Sequence, residues 1–424
     1  MIAETKERHV FEKIVFGSFL ILVTSLAVQK PIVLDLAGLR LSATDVLFPV
    51  VAVLAVGSVL LRMRAFRWTI AYLPLLFYLA AFFVASYFSE DMGRSIAKSL
   101  ATAYLVGLAI LAINLVDSEK RIRMSIAAWL IGAALPITIG IFTIVLYYVS
   151  PSSSLLPYLT YHYGSVPVGP YPRLSSTFVS ASMFCNYLNV AILLLLVERT
   201  FVWLSDRIWW ICFVASVVCV IFTISSGMGA VILGIALWFH YQRRRSRDGK
   251  LVLASGIALC TLFLISSFVA LSPHSTAPYS VHVPFFDVEV YPSPRLLVWM
   301  EALTAFGYNF FVGNGPGTPS ASVRFANTEG GYSLLTDAHN SFLSVAAQTG
   351  VIGLTAFIAL CSYLLKIGFS ENKNAVIFAL ATAFFCAFVV QGLTGSFEDA
   401  RHLWVLIGML VAAAMNEKEL ARDF

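Results

Sequence analysis

The sequence predicts an all-α membrane protein that crosses the bilayer about twelve times, and three observations support this. Of the 424 residues, 59% are hydrophobic and only 12% are charged, whereas a soluble domain carries about 25% charged residues. The apolar residues form runs close to the length of a transmembrane helix, about 20 residues. Lys and Arg gather in every second loop between these runs. The composition excludes a disordered chain and a small disulfide-stapled domain.

Twelve apolar runs are candidate membrane spans, and each should be helical because unsatisfied backbone groups are costly in lipid. They lie near residues 14–29, 43–61, 68–88, 96–116, 124–149, 178–197, 208–224, 226–241, 251–271, 350–368, 374–393 and 402–416. The seventh and eighth could form one hairpin folded at Ser225-Ser226-Gly227. The first, which ends near Ser25-Leu26-Ala27, could instead be a cleaved signal peptide. We favour a span there, because the sequence continues smoothly into a loop with Pro31.

The positive charges set the predicted orientation. With the N-terminus inside, 20 of the 28 Lys and Arg residues lie in inside segments, which is the side where membrane proteins concentrate them. Residues 1–424 then form a single integral membrane domain with both termini cytoplasmic. Its periplasmic side carries a first loop, 150–177, and a large, partly helical loop, 272–349. The net charge of +5 follows from this distribution and needs no nucleic-acid partner.

The basic cluster at 242–250 should hold its loop in the cytoplasm, with binding of anionic lipid as the alternative. Other site types are missing from the sequence. It has no GxxxxGK[ST] loop, no HExxH motif and no paired CxxC motifs, which argues against an ATP motor and a zinc site. We therefore predict no metal and no cofactor. All six cysteines fall inside predicted spans, which argues against disulfides.

His339 is the sharpest single feature of the large loop. Asp337 is a good N-cap for a helix that begins in AHNSFLSVAAQ, which places His339 in the first turn. The positive end of a helix disfavours the imidazolium, so the ring should be neutral near pH 7. A neutral imidazole can act as a general base. From spacing alone, a histidine that merely hydrogen-bonds a neighbouring loop is the commoner outcome.

Two arginines in the outer loops are candidate anion ligands. Arg173 and Arg295 each follow a Pro-containing stretch, PYPR or PSPR, and precede an apolar helical run. A guanidinium can bind two phosphate oxygens at once. Anchoring to lipid headgroups explains the same positions equally well.

Three further outer-loop residues are weaker candidates. Arg401 has Glu398 and Asp399 beside it and could simply be paired. Arg324 has no other supporting feature. Gly315, in the turn GNGPG, could let the backbone approach a phosphate, although a sharp turn is the commoner role of such a motif.

These segments together resemble the O-antigen ligase and polysaccharide polymerase superfamily. The ligase signature is His, then Asn, Ser or Gln, then nine residues and a Gly. This chain matches it with His339-Asn340, nine residues and Gly350, followed by the rest of GVIGL.

The family also has an Arg-led helix with a Trp ahead of a glycine-rich turn, which Arg295, Trp299 and GNGPG match. Earlier in the chain, Arg173 and Asn186 match an Arg-containing outer loop that runs into a span with an Asn. Two departures stand against these matches. Many members carry a Ser-Arg pair where this chain has Ser225-Ser226-Gly227-Met228, and Cys185 replaces the usual Pro before Asn186.

The resemblance implies metal-independent glycosyl transfer by a GT-C-like enzyme of the bacterial inner membrane, acting at the periplasmic face. As an O-antigen ligase of lipopolysaccharide biosynthesis, it would move a glycan from undecaprenyl diphosphate to a lipid A–core sugar. Arg173 and Arg295 would bind the donor diphosphate, His339 would take the acceptor proton, and the anomeric centre would be inverted. The residues that would support them are Asn340, Asp337, Arg324, Arg401 and Gly315.

Three alternatives remain open at this point. Within the superfamily, the chain could polymerise O-antigen or another surface polysaccharide, or transfer an oligosaccharide to protein. From another class, a membrane transporter or flippase would need functional polar residues at mid-membrane. This chain concentrates its polar residues in the outer loops, which favours the enzyme.

Overall fold

The computed structural model describes residues 2–30, 35–36, 39–160, 171–201, 203–244, 246–272, 280–284, 288–326, 332–370 and 374–420. Within these ranges the chain forms fourteen α-helices and seven short strands. Helices dominate, which confirms the predicted all-α polytopic fold.

Twelve of the helices coincide with the twelve predicted spans. They are α1 (Ile2–Ser25), α2 (Ala43–Leu60), α3 (Tyr72–Tyr87), α4 (Met92–Leu115), α5 (Glu119–Val149), α7 (Ala181–Glu198), α8 (Asp206–Thr223), α9 (Met228–Gln242), α10 (Arg247–Ser266), α12 (Ser341–Phe369), α13 (Ala375–Phe384) and α14 (Arg401–Leu420). Among the described residues, eight helices are long and apolar enough to cross a membrane, and α3 and α9 are shorter apolar helices.

The remaining elements lie in the two long loops and their flanks, except for β1 and β2, which lie between α1 and α2. The first loop holds the one-turn helix α6 (Leu156–Leu159), and the second holds α11 (Pro294–Tyr308). The strands are β1 (Asp35–Leu36), β2 (Leu39–Arg40), β3 (Val269–Ser272), β4 (Val281–Val283), β5 (Val288–Pro292), β6 (Val323–Ala326) and β7 (Tyr332–Leu335). β5 lies between β3 and β4 in a small antiparallel sheet, so the Pro-rich stretch before α11 is partly paired. β6 and β7 form a hairpin.

The core of the bundle surrounds α7, which packs against α5, α8, α9 and α13. Most of α7 is buried, whereas only 17% of the apolar stretch in each of α2 and α10 is buried. An apolar helix with so little protein around it is suited to lipid contact. Helix α1 is an integral part of the bundle, because Phe19 and Leu22 are fully buried where it packs against α2 and α5.

The helix ends separate into two groups. At one end, an Arg67 guanidinium nitrogen donates to Asn416 Oδ1 (2.8 Å), and Arg121 lies 3.9 Å from Glu12. Asp117 pairs with both Arg64 and Arg121 and so links these two contacts. The N-terminal half of α1 and the end of α14 therefore lie at the same end, which we call the basic end. The opposite end carries α6, α11 and the short sheets, and we call it the loop end. The alternation of basic segments along the chain predicts this arrangement.

Three irregularities of the helices lie towards the loop end. Gly350 has a positive φ of 64° and kinks α12 where the predicted tenth span begins. Helix α13 continues as a π-helical turn over Phe385–Val390 and a 3₁₀ turn over Gln391–Leu393. A four-residue turn, 224–227, joins α8 to α9, so the two short spans are separate helices. They pack against other helices rather than against each other, so the expected hairpin does not form.

The cysteines behave as the sequence predicts. All six lie in described segments and none is paired. Five are buried and Cys212 is half-buried. They serve as small apolar side chains of the bundle.

Candidate active site

Arg295 and His339 come together because α11 and the first half of α12 run side by side in the same direction. Helix α11 begins with Ser293 as N-cap, Pro294 in the first position and then Arg295. Helix α12 begins directly after His339 and Asn340. Arg295 and His339 thus occupy corresponding positions at the starts of two packed helices, and the charge of Arg295 lowers the pKa of the His339 imidazole.

The GNGPG turn and the residues just before it join the end of α11 to the kinked middle of α12. The Asn314 N–H donates to Ala347 O (2.9 Å), Gly315 N–H to Gln348 O (3.0 Å) and Val351 N–H to Phe310 O (2.8 Å). The turn therefore binds the carbonyl groups that the kink in α12 sets free. This contact fixes α11, and Arg295 at its start, against the helix that follows His339.

Gly350 makes that contact possible and explains its spacing from His339. A Cβ atom at Gly350 would overlap the carbonyl of Phe311, and its φ of 64° is unfavourable for other residues. Because a helix turns once every 3.6 residues, a changed spacing would rotate Gly350 away from Phe311. The spacing of nine residues between Asn340 and Gly350 thus corresponds to the stretch of α12 that packs against α11.

Gly315 has a packing role in the same turn. Its φ is 105°, and a Cβ atom there would overlap the hydroxyl of Ser89. Ser89 Oγ also donates to Asn314 O (3.2 Å), and the Gly317 N–H donates to Gln348 Oε1 (2.7 Å). The positive φ fits the sharp turn that the motif predicts, and the lack of a side chain also lets the turn pack closely against Ser89.

The prediction that Asp337 caps α12 is wrong. The cap is Asn340, whose Oδ1 accepts from the Phe342 and Leu343 N–H groups (2.9 and 3.1 Å). Asp337 instead accepts from Ser396 Oγ (2.6 Å). His339 therefore precedes the helix, in a left-handed conformation with φ 47°, rather than lying in its first turn.

The imidazole of His339 is half-buried, with 38% of its side chain exposed. Burial lowers its pKa below the ordinary value, the charge of Arg295 lowers it further, and the carboxylate of Asp337 opposes both. The ring is therefore neutral near pH 7, in the predicted direction, but burial and an arginine cause it. Nδ1 lies 3.7 Å from Asp337 Oδ2, which leaves Nε2 directed away from this carboxylate.

Arg295 is half-buried, and burial lowers the pKa of its guanidinium. Within the part of the chain that the structure describes, no carboxylate pairs with it and no oxygen accepts from its side chain. A cation in this state attracts an external anion, since burying it without a counter-charge is costly. Its planar group suits phosphate oxygens.

Arg173 lies beside the turn between α8 and α9, where its Nε donates to Thr223 O (3.2 Å). That turn contacts the broken end of α13, since Ser226 Oγ donates to Thr394 Oγ1 (3.1 Å). The same broken end holds the start of α12, because Asn340 Nδ2 donates to Leu393 O (3.2 Å). The α8–α9 turn and the broken end of α13 thus connect Arg173 on one side to His339 on the other. This turn is the segment in which the chain lacks the Ser-Arg pair of many family members.

Two of the weaker candidates lie outside this arrangement. Arg401 is paired, but with Asp45 rather than with its neighbours Glu398 and Asp399. Its Nε and terminal nitrogen lie 2.7 and 2.8 Å from the two carboxylate oxygens. Arg324 is exposed on β6, opposite Leu334 of β7. A bidentate ion pair leaves Arg401 little capacity for a second anion.

Sequence reasoning missed a buried carboxyl group near Asp337. Glu398 is 5% exposed, and its Oε1 accepts from Ser344 Oγ (2.6 Å). Its Oε2 has no partner among the described residues. Burial and the nearby charges of Asp399 and Asp337 raise the pKa of Glu398 to about 7. The sequence signal was the Glu398-Asp399 pair, which had been assigned to Arg401.

A second group missed from sequence lies deeper in the bundle. His402 is fully buried, and its Nε2 lies 2.7 Å from Asn186 Oδ1. The signal that could have found it is a histidine at the start of a predicted span, since ionisable residues are rare in membrane segments.

Comparison with known families bears on the same segments. Residues 210–358 match the family model described as O-antigen ligase. The matched range runs from α8 into α12 and includes Arg295, the GNGPG turn, His339 and Gly350, whereas Arg173 precedes it. No curated protein matches the chain. The family match confirms the resemblance inferred from the sequence motifs.

Proposed function

We propose, on the premise that residues 210–358 are an O-antigen ligase family domain, that the protein is an O-antigen ligase. It transfers a glycan from undecaprenyl diphosphate to a sugar hydroxyl of lipid A–core. In this proposal the loop end faces the periplasm, the basic end faces the cytoplasm, and the membrane is the bacterial inner membrane. Membrane lipids surround the bundle.

One observation carries the proposal: His339 and Arg295 lie at the starts of two parallel, packed helices, and no described carboxylate pairs with Arg295. Burial lowers the pKa of the His339 imidazole, which favours the neutral form that can act as a base. Glycosyl transfer from a lipid diphosphate needs a base for the acceptor hydroxyl and a cation for the leaving diphosphate. It needs no nucleotide, because undecaprenyl diphosphate is itself the leaving group when the bond from the anomeric carbon to the phosphate oxygen breaks.

The chemical step follows from this pairing. The acceptor oxygen attacks the anomeric carbon and forms a new glycosidic bond, while the bond from that carbon to the phosphate oxygen breaks. The hydroxyl proton passes to Nε2 of His339, since Nδ1 faces Asp337. The electron pair of the broken bond leaves on undecaprenyl diphosphate, whose charge Arg295 and Arg173 stabilise. Attack opposite the leaving group inverts the anomeric centre.

The decisive experiment offers the purified protein one donor and two acceptors. The donor is an undecaprenyl-diphosphate-linked glycan, and the acceptors are lipid A–core and a second lipid-linked glycan. A ligase adds the glycan to lipid A–core. Elongation of the lipid-linked glycan instead would show a polymerase and overturn the ligase assignment.

Two pairs of matched variants test the residue roles in the same assay. His339→Ala should abolish transfer, since a general base contributes about 10²–10⁴-fold, whereas His282→Ala on the exposed β4 should not. Arg295→Lys should lower transfer about 10- to 100-fold, because one ammonium cannot replace two parallel hydrogen bonds. Arg324→Lys is its control. Wild-type rates in His339→Ala would rule out the proposed chemistry.

A further inference from the structure

Gln391 lies where helix α13 breaks. The preceding turn, Phe385–Val390, is π-helical, and Gln391 begins a short 3₁₀ turn. π-helical turns inside helices occur frequently at functional sites. The side chain of Gln391 is 1% exposed, so its amide must find partners inside the protein.

The amide of Gln391 joins three elements. Its Oε1 accepts a hydrogen bond from Asn186 Nδ2 on α7, and its Nε2 donates to Gly227 O (3.1 Å) in the α8–α9 turn. A Cβ atom at Gly227 would overlap Gln391 Nε2. The absence of a side chain at Gly227 therefore leaves the space that the Gln391 amide occupies, and the hydrogen bond between the two residues requires a glycine there.

The two sides of this junction lead to the two sides of the candidate site. On one side, the α8–α9 turn follows Thr223, whose carbonyl oxygen binds Arg173. On the other side, the segment after Gln391 binds the start of α12. Leu393 O accepts from Asn340 Nδ2, and Gly395 O accepts from Ser341 Oγ (both 3.2 Å). His339 directly precedes this start.

Hydrogen bonding behind Gln391 is also directional. Asn186 Nδ2 donates to both Gln391 and Ala387 O (2.6 Å), so Asn186 Oδ1 is left as an acceptor. His402 Nε2 must then be the donor across 2.7 Å, and His402 Nδ1 can accept from Gln29 Nε2 at 3.4 Å. This buried chain gives Asn186 a single orientation, and through it fixes the amide of Gln391.

We propose that Gln391 is a positioning residue for the transfer reaction. Its amide holds the α8–α9 turn, and with it Arg173, at a fixed place relative to the start of α12 and His339. The inference rests on the proposed function and adds a residue that touches neither substrate. Misplacing reacting groups slows the chemical step more than it weakens substrate binding.

Gln391→Leu is the first test, because leucine fills similar space and removes the hydrogen bonds of the amide, including those to Asn186 and Gly227. We expect kcat to fall at least tenfold, while KM for donor and acceptor changes less than threefold. Gln391→Glu keeps the shape, and a buried carboxyl group remains protonated. It can therefore still accept from Asn186 and donate to Gly227 O, so its kcat should exceed that of Gln391→Leu.

Gly227→Ala is the second test, and it disrupts the same contact by changing the α8–α9 turn instead of Gln391. The added methyl group must displace the Gln391 amide, so this variant should also lower kcat. The double variant with Gln391→Leu should show a smaller fold-reduction in kcat than the product of the two single reductions, because both substitutions disrupt the same contact. Gly57→Ala on α2 is the matched control, since open space surrounds a Cβ atom there, and it should keep the wild-type kcat.

The outcomes separate this inference from the function on which it rests. Wild-type kcat in Gln391→Leu, together with loss of transfer in His339→Ala, overturns the positioning role alone. A rise in KM at unchanged kcat overturns it as well. Transfer at the wild-type rate in His339→Ala overturns the proposed function. Should Gln391→Leu fail to fold, as judged by size-exclusion chromatography, Gly227→Ala and Gln391→Glu decide by the same criteria.

Discussion

The imidazole of His339 is set between opposite charges, and this gives its protonation a testable direction. Arg295 lowers the pKa of His339 and Asp337 raises it, while burial, the largest cause, lowers it. The neutral ring is the form that can accept a proton. Activity should therefore be lost when the pH falls through the pKa of His339, which lies below the ordinary value of 6.5.

Charge substitutions should shift this acid limb in opposite directions. Asp337→Asn removes the carboxylate that favours the imidazolium, so the midpoint of the kcat/KM acid limb should move to lower pH. Arg295→Gln removes the opposing cation, so the midpoint of its residual activity should move to higher pH. The measurement is the pH dependence of kcat/KM for glycan transfer. Equal midpoints in all three proteins would contradict the role of His339 as the titrating base.

The capping of α12 shows why some residue roles could not be predicted from the sequence. Asp and Asn are about equally good N-caps, so local preference cannot choose between Asp337 and Asn340. The choice depends on the broken end of α13, where Ser396 binds Asp337 and Leu393 O binds Asn340. These contacts join residues more than fifty positions apart, and no local pattern indicates them.

At the scale of elements, the pairing of α11 with α12 depends on Gly350. The apolar runs predict each helix separately, because hydropathy and helical period are local properties. The parallel packing of these two helices is not local, and the sequence indicates it only through the glycines of the motif. A side chain at position 350 would overlap the backbone of Phe311. The positive φ of Gly350 is also unfavourable for a residue with a side chain.

Gly350→Ala should therefore destabilise the protein and separate Arg295 from His339. Left-handed backbone in a residue with a side chain costs about 1–3 kcal/mol, and the overlap with Phe311 adds to it. We expect a lower midpoint of thermal unfolding in detergent and a large loss of transfer. Gly307→Ala within α11 is the control, because a Cβ atom there meets nothing and alanine favours helix. It should unfold at the same temperature as wild type or higher.

At the scale of the whole molecule, charged residues are few. Their distribution between the two ends of the bundle predicts its orientation, and the few cations at the loop end are the candidates for the active site. Two cations at the loop end are paired with carboxylates within the structure, Lys98 with Asp399 and Arg401 with Asp45. Composition could predict that few cations lie at this end, but pairing depends on which helices meet. The bundle brings Asp45 of α2 to Arg401 of α14, which are far apart in the sequence. Arg295 differs from these two cations, because it is half-buried and no described carboxylate pairs with it, so it can serve an external anion.

The predicted sidedness of the bundle can be tested with single cysteines. Glu90, between α3 and α4 at the loop end, and Lys120, at the start of α5 at the basic end, are both exposed. A membrane-impermeant maleimide added to cells with a permeabilised outer membrane should label Glu90→Cys. It should label Lys120→Cys only after the inner membrane is also opened.

The native protein is the control, and it should label weakly because five of its cysteines are buried and Cys212 is half-buried on an apolar helix. Labelling of Lys120→Cys before the inner membrane is opened would reverse the orientation. It would place His339 and Arg295 in the cytoplasm, where they could not act on a periplasmic acceptor.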